Sequence, residues 1–120
     1  MSEVIGVIGQ GFVGTAVREG LQHLFKVETY DKFKTDCSTC VSVEDVCAKT
    51  NIIFVCLPTP MKKDGSCDLS LISDTIAKIN KVSTNHIAII KSTVPPGTTT
   101  QLNKKYKNLQ VVFNPEFLTE

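Results

Sequence analysis

The chain has 120 residues, with 13 Lys and Arg against 12 Asp and Glu, a net charge of +1, and 42% hydrophobic residues. That length admits one domain with a modest core, since domains commonly run to about 100–150 residues, and the balanced charge gives no electrostatic basis for nucleic-acid or anionic-membrane binding. No apolar run approaches the ~20 residues of a membrane span and Met1-Ser2-Glu3 is no basic leader, so the expectation is a cytosolic protein with neither nucleic acid nor membrane as partner.

In chain order, Val4-Ile5-Gly6-Val7-Ile8 reads as a buried strand that runs straight into Gly9-Gln10-Gly11-Phe12-Val13-Gly14. An amphipathic stretch follows, with Phe12, Val13, Ala16, Val17, Leu21 and Leu24 at helical spacing, then a second strand, Lys26 to Tyr30, closed by Asp31. Strand, glycine turn, helix, strand and acid are the parts of a βαβ dinucleotide-binding unit. Gly9 permits the tight turn, Gly11 lets a pyrophosphate approach the backbone, and Gly14 lets the helix pack closely. The N–H groups near Gly11, Phe12 and Val13 lack intrahelical partners at the positive end of the helix dipole, which favours an anion. Asp31 lies 22 residues after Gly9, close to the spacing of about 20 expected of an acid that accepts hydrogen bonds from an adenosine ribose.

Lys32 to Thr39 is polar and reads as a loop. Ser42, with Asp45 three residues on, starts a short helix that covers Val46 and Ala48. Asn51 to Leu57 is a continuous apolar run, as in a strand buried on both faces, and Pro58-Thr59-Pro60 ends it. After a turn at Asp64-Gly65, Asp68 or Ser70 caps a helix whose Leu71, Ile72, Thr75, Ile76 and Ile79 form one face. His86 to Lys91 is the next strand. Pro96 suits a first helical position, with the helix running to about Tyr106, and Leu109 to Phe113 is a fifth strand. Right-handed crossovers give an α/β, Rossmann-type doubly wound, mostly parallel sheet, in the order 3-2-1-4-5.

The five cysteines, Cys37, Cys40, Cys47, Cys56 and Cys67, are an odd number without a secretion signal, so a disulfide framework is not expected. Cys37-Ser38-Thr39-Cys40 would need two further ligands to hold zinc, and the candidates fall on other elements. It is read as a loop with free thiols, and no metal site is assigned. Ligands of open α/β sheets bind beyond the carboxyl ends of the strands, near the switch in strand order. The candidates are therefore Gly9 to Gly14, Asp31, Thr59 with its flanking prolines, Ser92-Thr93, and Asn114 to Glu120.

Taken together, the glycine turn, Val55 to Pro60, Asp64-Gly65 with Asp68-Leu69-Ser70, Lys91 to Thr98 and Asn114-Pro115-Glu116-Phe117-Leu118 resemble the N-terminal NAD-binding domain of the UDP-glucose 6-dehydrogenase and GDP-mannose dehydrogenase family. The resemblance spans the whole chain. It implies an NAD-dependent two-step oxidation of a nucleotide sugar, UDP-glucose foremost, to the carboxylate through a thioester. It assigns Thr93 to the nicotinamide and a catalytic water, Glu116 to thioester hydrolysis, and Glu120 to the cofactor, while Thr59 is read as a cofactor contact from its place at a strand tip. NAD is the cofactor it implies, a nucleotide sugar the substrate, and a homodimer a candidate assembly.

The family's nucleophilic cysteine, its lysine and asparagine, and most of its sugar contacts belong to a central helix and C-terminal domain that would follow residue 120. The expectation is a truncated cofactor domain that binds NAD without turnover and exposes apolar surface on the face those parts would cover. Lys32 or Lys34 is expected to take the place of the basic residue the family often sets against the adenosine ribose. Two alternatives stand beside this reading: a non-catalytic NAD-binding module regulating a full-length partner, and a β-hydroxyacid dehydrogenase domain, against which Pro58-Thr59-Pro60 and Asn114 to Leu118 argue.

Overall fold

The apolar runs become the strands of one parallel sheet. The computed structural model describes residues 3–83 and 85–114. Within them β1 (Val4–Ile8), β2 (Lys26–Tyr30), β3 (Ile52–Val55), β4 (His86–Ile90) and β5 (Leu109–Phe113) alternate with α1 (Phe12–Leu21), α2 (Val43–Lys49), α3 (Ser70–Val82) and α4 (Thr98–Lys105). Every strand pair is parallel.

The strand order is 2-1-3-4-5, which corrects the expected 3-2-1-4-5. An outer third strand would have to pair with the free edge of β2, and the chain itself covers that edge. The N–H groups of Thr39 and Cys40 donate to the Thr29 carbonyl at 3.0 and 2.9 Å, the Thr39 hydroxyl accepts from the Thr29 N–H at 2.8 Å, and the Ser38 hydroxyl accepts from the Asp31 N–H at 2.8 Å. Between Asp31 and Ser42 the only regular structure is the 3₁₀ turn Thr35–Cys37. No strand is added outside β2, and α2 returns the chain across β1. The switch in order still falls beside β1, as it does in either doubly wound arrangement.

One side of the sheet carries the core, where Ile8, Ile53, Val55, Ala88, Ile90 and Val111 meet Val43, Val46, Ile72, Ile76, Ile79 and Leu102 of α2, α3 and α4. Each fully buried Ile or Val here contributes about 1.5–3 kcal/mol through removal from water. Among the described residues the other side holds α1 alone, against β1 and β2. The strand register sets Ile52, Phe54, Ile87, Ile89 and Val112 on that side, all of them only half-buried.

Several local expectations shift. In α2 the Ser42 hydroxyl accepts from the Asp45 N–H at 3.0 Å as expected, but Cys47 rather than Ala48 is buried beside Val46. In α3 Leu71 lies off the buried face at 37% exposure, and Asp68 accepts from the Ser70 N–H one residue outside the cap, which is Leu69. Helix α4 starts at Thr98 rather than Pro96, because Gly97 at its N-cap takes φ +87° and the Thr98 hydroxyl closes the turn onto the Pro95 carbonyl. The α1 stripe is half-buried at Val13, Val17 and Leu21, and Leu24 lies beyond the helix end, 76% exposed. His86 is buried with its ring nitrogens against the Ser83 hydroxyl and the Cys47 carbonyl, tying α2 to the base of β4. Cys40 and Cys47 lie in the core, and burial pushes the Cys47 thiol up to about 11.

The loop that covers β2 is also held by charge. The Thr39 hydroxyl donates to Glu28 Oε2 at 2.6 Å, which is the main reason the Glu28 carboxyl lies below its ordinary value, opposed by burial. A lowered folded-state value means the contribution is present above the unfolded-state value and is lost as pH falls through the folded one. Thr39→Val should therefore be less stable than the parent at pH 7, with the gap narrowing as the pH is brought below about 4.5. Urea melts across that range test this; a gap that does not change with pH would show that Glu28 takes no part.

Candidate functional site

The strand tips on either side of the switch enclose a cleft of about 560 Å³, within the range of about 300–1,000 Å³ typical of small-molecule sites. Its lining includes Gly9, Gly11, Val13, Asp31, Thr59 and Thr93. Six of the residues singled out from the sequence thus share one cavity. Gly14 lies behind the turn, and Phe12, whose backbone alone is described, opens α1. Glu116 and Glu120 lie outside the described residues.

The glycine positions differ in what they can accept. Gly9 has φ +96°, and a Cβ there would stand 2.5 Å from the Cys56 carbonyl oxygen. At Gly14 a Cβ would fall 1.8 Å from the Gly9 carbonyl oxygen, so α1 rests directly on the turn. A Cβ on Gly11 would meet nothing within 4 Å, leaving open space at the N-cap of α1. That cap has no side-chain hydrogen bond and no acid in the first turn, so the end of the helix dipole faces the cleft uncompensated by a side chain.

The peptide between the first two glycines is clamped. The Gln10 N–H donates to Asp31 Oδ2 at 2.6 Å, while the Gln10 carbonyl accepts from Thr15 Oγ1 at 3.2 Å and Lys34 Nζ at 3.1 Å. Asp31 Oδ1 accepts from the N–H groups of Phe33 and Lys34 at 2.8 and 3.2 Å. A carboxylate offers about four acceptor sites, so Asp31 retains room for one further donor on Oδ2 rather than for a pair. Lys34 is the basic residue that reaches the turn. Its contact with the Gln10 carbonyl was not read from the sequence, which set either lysine against the ribose instead.

On the far side of the cleft, hydroxyls tie the tips of β3 and β4 together. Ser92 Oγ donates to the Leu57 carbonyl, and Thr59 Oγ1 donates to the Thr93 carbonyl at 3.1 Å. The Thr59 hydroxyl thus positions the Thr93 backbone, while Thr93 itself is exposed at the cleft. Lys91, a lining residue that sequence reasoning passed over, is buried and donates from Nζ to Asn114 Oδ1 at 3.1 Å. It fixes the tip of β5. A lysine ending an otherwise apolar strand was the available signal.

Residues 16–120 match the family model described as the UDP-glucose/GDP-mannose dehydrogenase family, NAD binding domain. The chain belongs to that family. Over 112 residues it is 35% identical to the UDP-glucose 6-dehydrogenase YwqF of Bacillus subtilis, covering 84% of this chain and 24% of that one. It is 36% identical over 107 residues to an uncharacterized protein of Methanocaldococcus jannaschii, covering 85% and 11%. The UDP-glucose dehydrogenase of Pyrobaculum islandicum superposes with a TM-score of 0.80 at 25% identity over 100% of this chain and 37% of its own. The GDP-mannose dehydrogenase of Pseudomonas aeruginosa, at 24% identity, shares the fold with a TM-score of 0.78 over 97% and 36%. This family member therefore spans 24% and 11% of the lengths of those two curated relatives.

The two inner glycines should respond oppositely to the same change. Gly14→Ala forces a methyl into the Gly9 carbonyl and is expected to lower stability by about 3 kcal/mol, the upper end for overpacking. Gly11→Ala should melt within about 0.5 kcal/mol of the parent, as for a surface change. Guanidinium melts of the two variants check this, and equal stabilities would contradict the contact assigned to Gly14.

Proposed function

We propose that this chain is the NAD-binding part of a nucleotide-sugar dehydrogenase that oxidises UDP-glucose to UDP-glucuronate. The observation that carries it is the gathering of the open Gly11 cradle, the free N-terminus of α1, Asp31 and the Thr59–Thr93 bridge around one cleft at the switch point. The family match supports NAD, and the named relatives include enzymes of UDP-glucose and of GDP-mannose.

The residues present fit a dinucleotide. In this reading Gly9, Gly11 and the amides of Phe12 and Val13 hold the pyrophosphate, with Gly14 seating the helix behind them. Asp31 takes a ribose hydroxyl, Lys34 steadies the turn below it, and Glu120 joins the cofactor contacts. NAD supplies the hydride acceptor. Thr93 orients a water through its exposed hydroxyl, and Glu116 polarises that water for thioester hydrolysis. None of the five cysteines follows a glycine or stands in the nucleophile's motif, and Cys56 is buried, so the chain alone binds NAD without turnover.

The alternative, a module that binds NAD and regulates a full-length partner, shares that expectation and differs in whether a partner's activity changes when the chain is added. The test is calorimetric titration with NAD and NADP, followed by absorbance assays for NADH with UDP-glucose. NAD should bind about tenfold tighter than NADP, because a 2′-phosphate meets the Asp31 carboxylate, an effect only partly offset by Lys32 and Lys34. Equal or tighter binding of NADP would remove Asp31 from this role. Sustained NADH formation abolished by Thr93→Ala and Glu116→Gln would show a complete enzyme and overturn the reading.

A further inference from the structure

Exposed aromatic surface is costly in water, and one aromatic residue stands open beside the ribose acid. Phe33 is 81% exposed, two residues beyond Asp31, in the wall of the cleft. Of the large hydrophobic side chains exposed among the described residues, only Phe33 and Leu71 line that cavity. The exposure of Phe33 is not a product of a loose loop. Its N–H donates to Asp31 Oδ1 at 2.8 Å, the next N–H donates to the same oxygen, and Ser38 Oγ accepts from the Asp31 N–H and lies 3.2 Å from the Lys34 carbonyl. Lys32 Nζ sits 5.7 Å from the ring centroid, a cation on the π-system. The same carboxylate that holds the glycine turn therefore also holds an aromatic ring at the adenosine end of the cleft.

We infer that Phe33 is the stacking platform for the adenine base, with Leu71 of α3 as the apolar wall across the same cavity. The inference rests on the dinucleotide reading above and adds to it the recognition of the base. A π-face beside an apolar side chain suits a flat heteroaromatic ring, while Asp31 takes the ribose and α1 the phosphates. No aromatic side chain stands at the nicotinamide end, where the described lining is Leu57, Pro58, Thr59, Lys91, Ser92 and Thr93.

The test uses ADP-ribose and nicotinamide mononucleotide as separate probes of the two ends of the cleft, beside NAD itself. Phe33→Ala should weaken NAD and ADP-ribose by on the order of tenfold, within the range measured for loss of one aromatic–base stack, and leave the mononucleotide unchanged. Phe33→Tyr should restore the affinity. Far-UV circular dichroism should not change, because the side chain is exposed. On the unmutated chain, the adenine H2 and H8 resonances should move upfield on binding through the ring current, and this shift should be lost in Phe33→Leu, which keeps apolar bulk without a π-face.

If the unmutated chain binds NAD, but Phe33→Ala binds ADP-ribose equally well or the adenine protons do not shift, the stacking role is overturned and the dinucleotide site stands. If the unmutated chain binds neither NAD nor ADP-ribose, both readings fall.

Discussion

The Gln10 peptide is held at both ends, and the candidate site is built around that hold. Its N–H closes onto Asp31 and its carbonyl onto Lys34 and Thr15, so the glycine turn, the tip of β2 and the first turn of α1 form one hydrogen-bonded unit. Gly14 pressed on the Gly9 carbonyl fixes the same unit from behind. An acid at this position serves two ends: it presents negative charge to the cleft, and its carboxylate accepts from three backbone amides. Replacing it with asparagine would set an amide donor against donors, so its contributions to folding and to recognition cannot be separated by removing charge alone.

The sheet supplies the second constraint. Because residues 38 to 40 seal the outer edge of β2, β3 must cross to the other side of β1, and the carboxyl ends of β1 and β3 part their following loops on either side of the cleft. The same crossing places α2, α3 and α4 together and, among the described residues, leaves α1 alone opposite them. The core is thus complete on one side, while the other shows the flat row of Ile52, Phe54, Ile87, Ile89 and Val112. The coverage of the sheet follows from where one short loop makes its hydrogen bonds.

Much of this was legible in the residues. The apolar runs gave the strands, and the glycine turn with Asp31 gave the cleft, because strand burial and φ > 0 leave direct marks on residue choice. The strand order was not legible: pairing of Thr39 and Cys40 with Thr29 leaves no periodicity, only a polar segment that reads as any loop. Pro96 failed as a helix start because Gly97, one position on, could take a left-handed conformation that no proline rule anticipates. Leu24 and Leu71 matched helical spacing yet face solvent, since spacing cannot say where a helix ends or which of two adjacent residues the neighbouring element covers. At the site, the partners of Lys34 and Lys91 depend on contacts 24 and 23 residues apart, and charge alone does not encode them.

The two shoulders of the cleft are made of different materials. Beside β1 and β2, a carboxylate and ammonium groups stand at the rim, and fields from such charges are screened over about 8–10 Å in ordinary buffers. Beside β3 and β4, neutral hydroxyls close onto carbonyls, and dissolved ions have little purchase on them. Ionic strength therefore acts most directly on the exposed charges of the first shoulder: salt damps the attraction and repulsion felt by an incoming anion at the adenosine end, while on the opposite shoulder the Lys91 ammonium is buried against Asn114 and the neutral hydrogen bonds set the geometry.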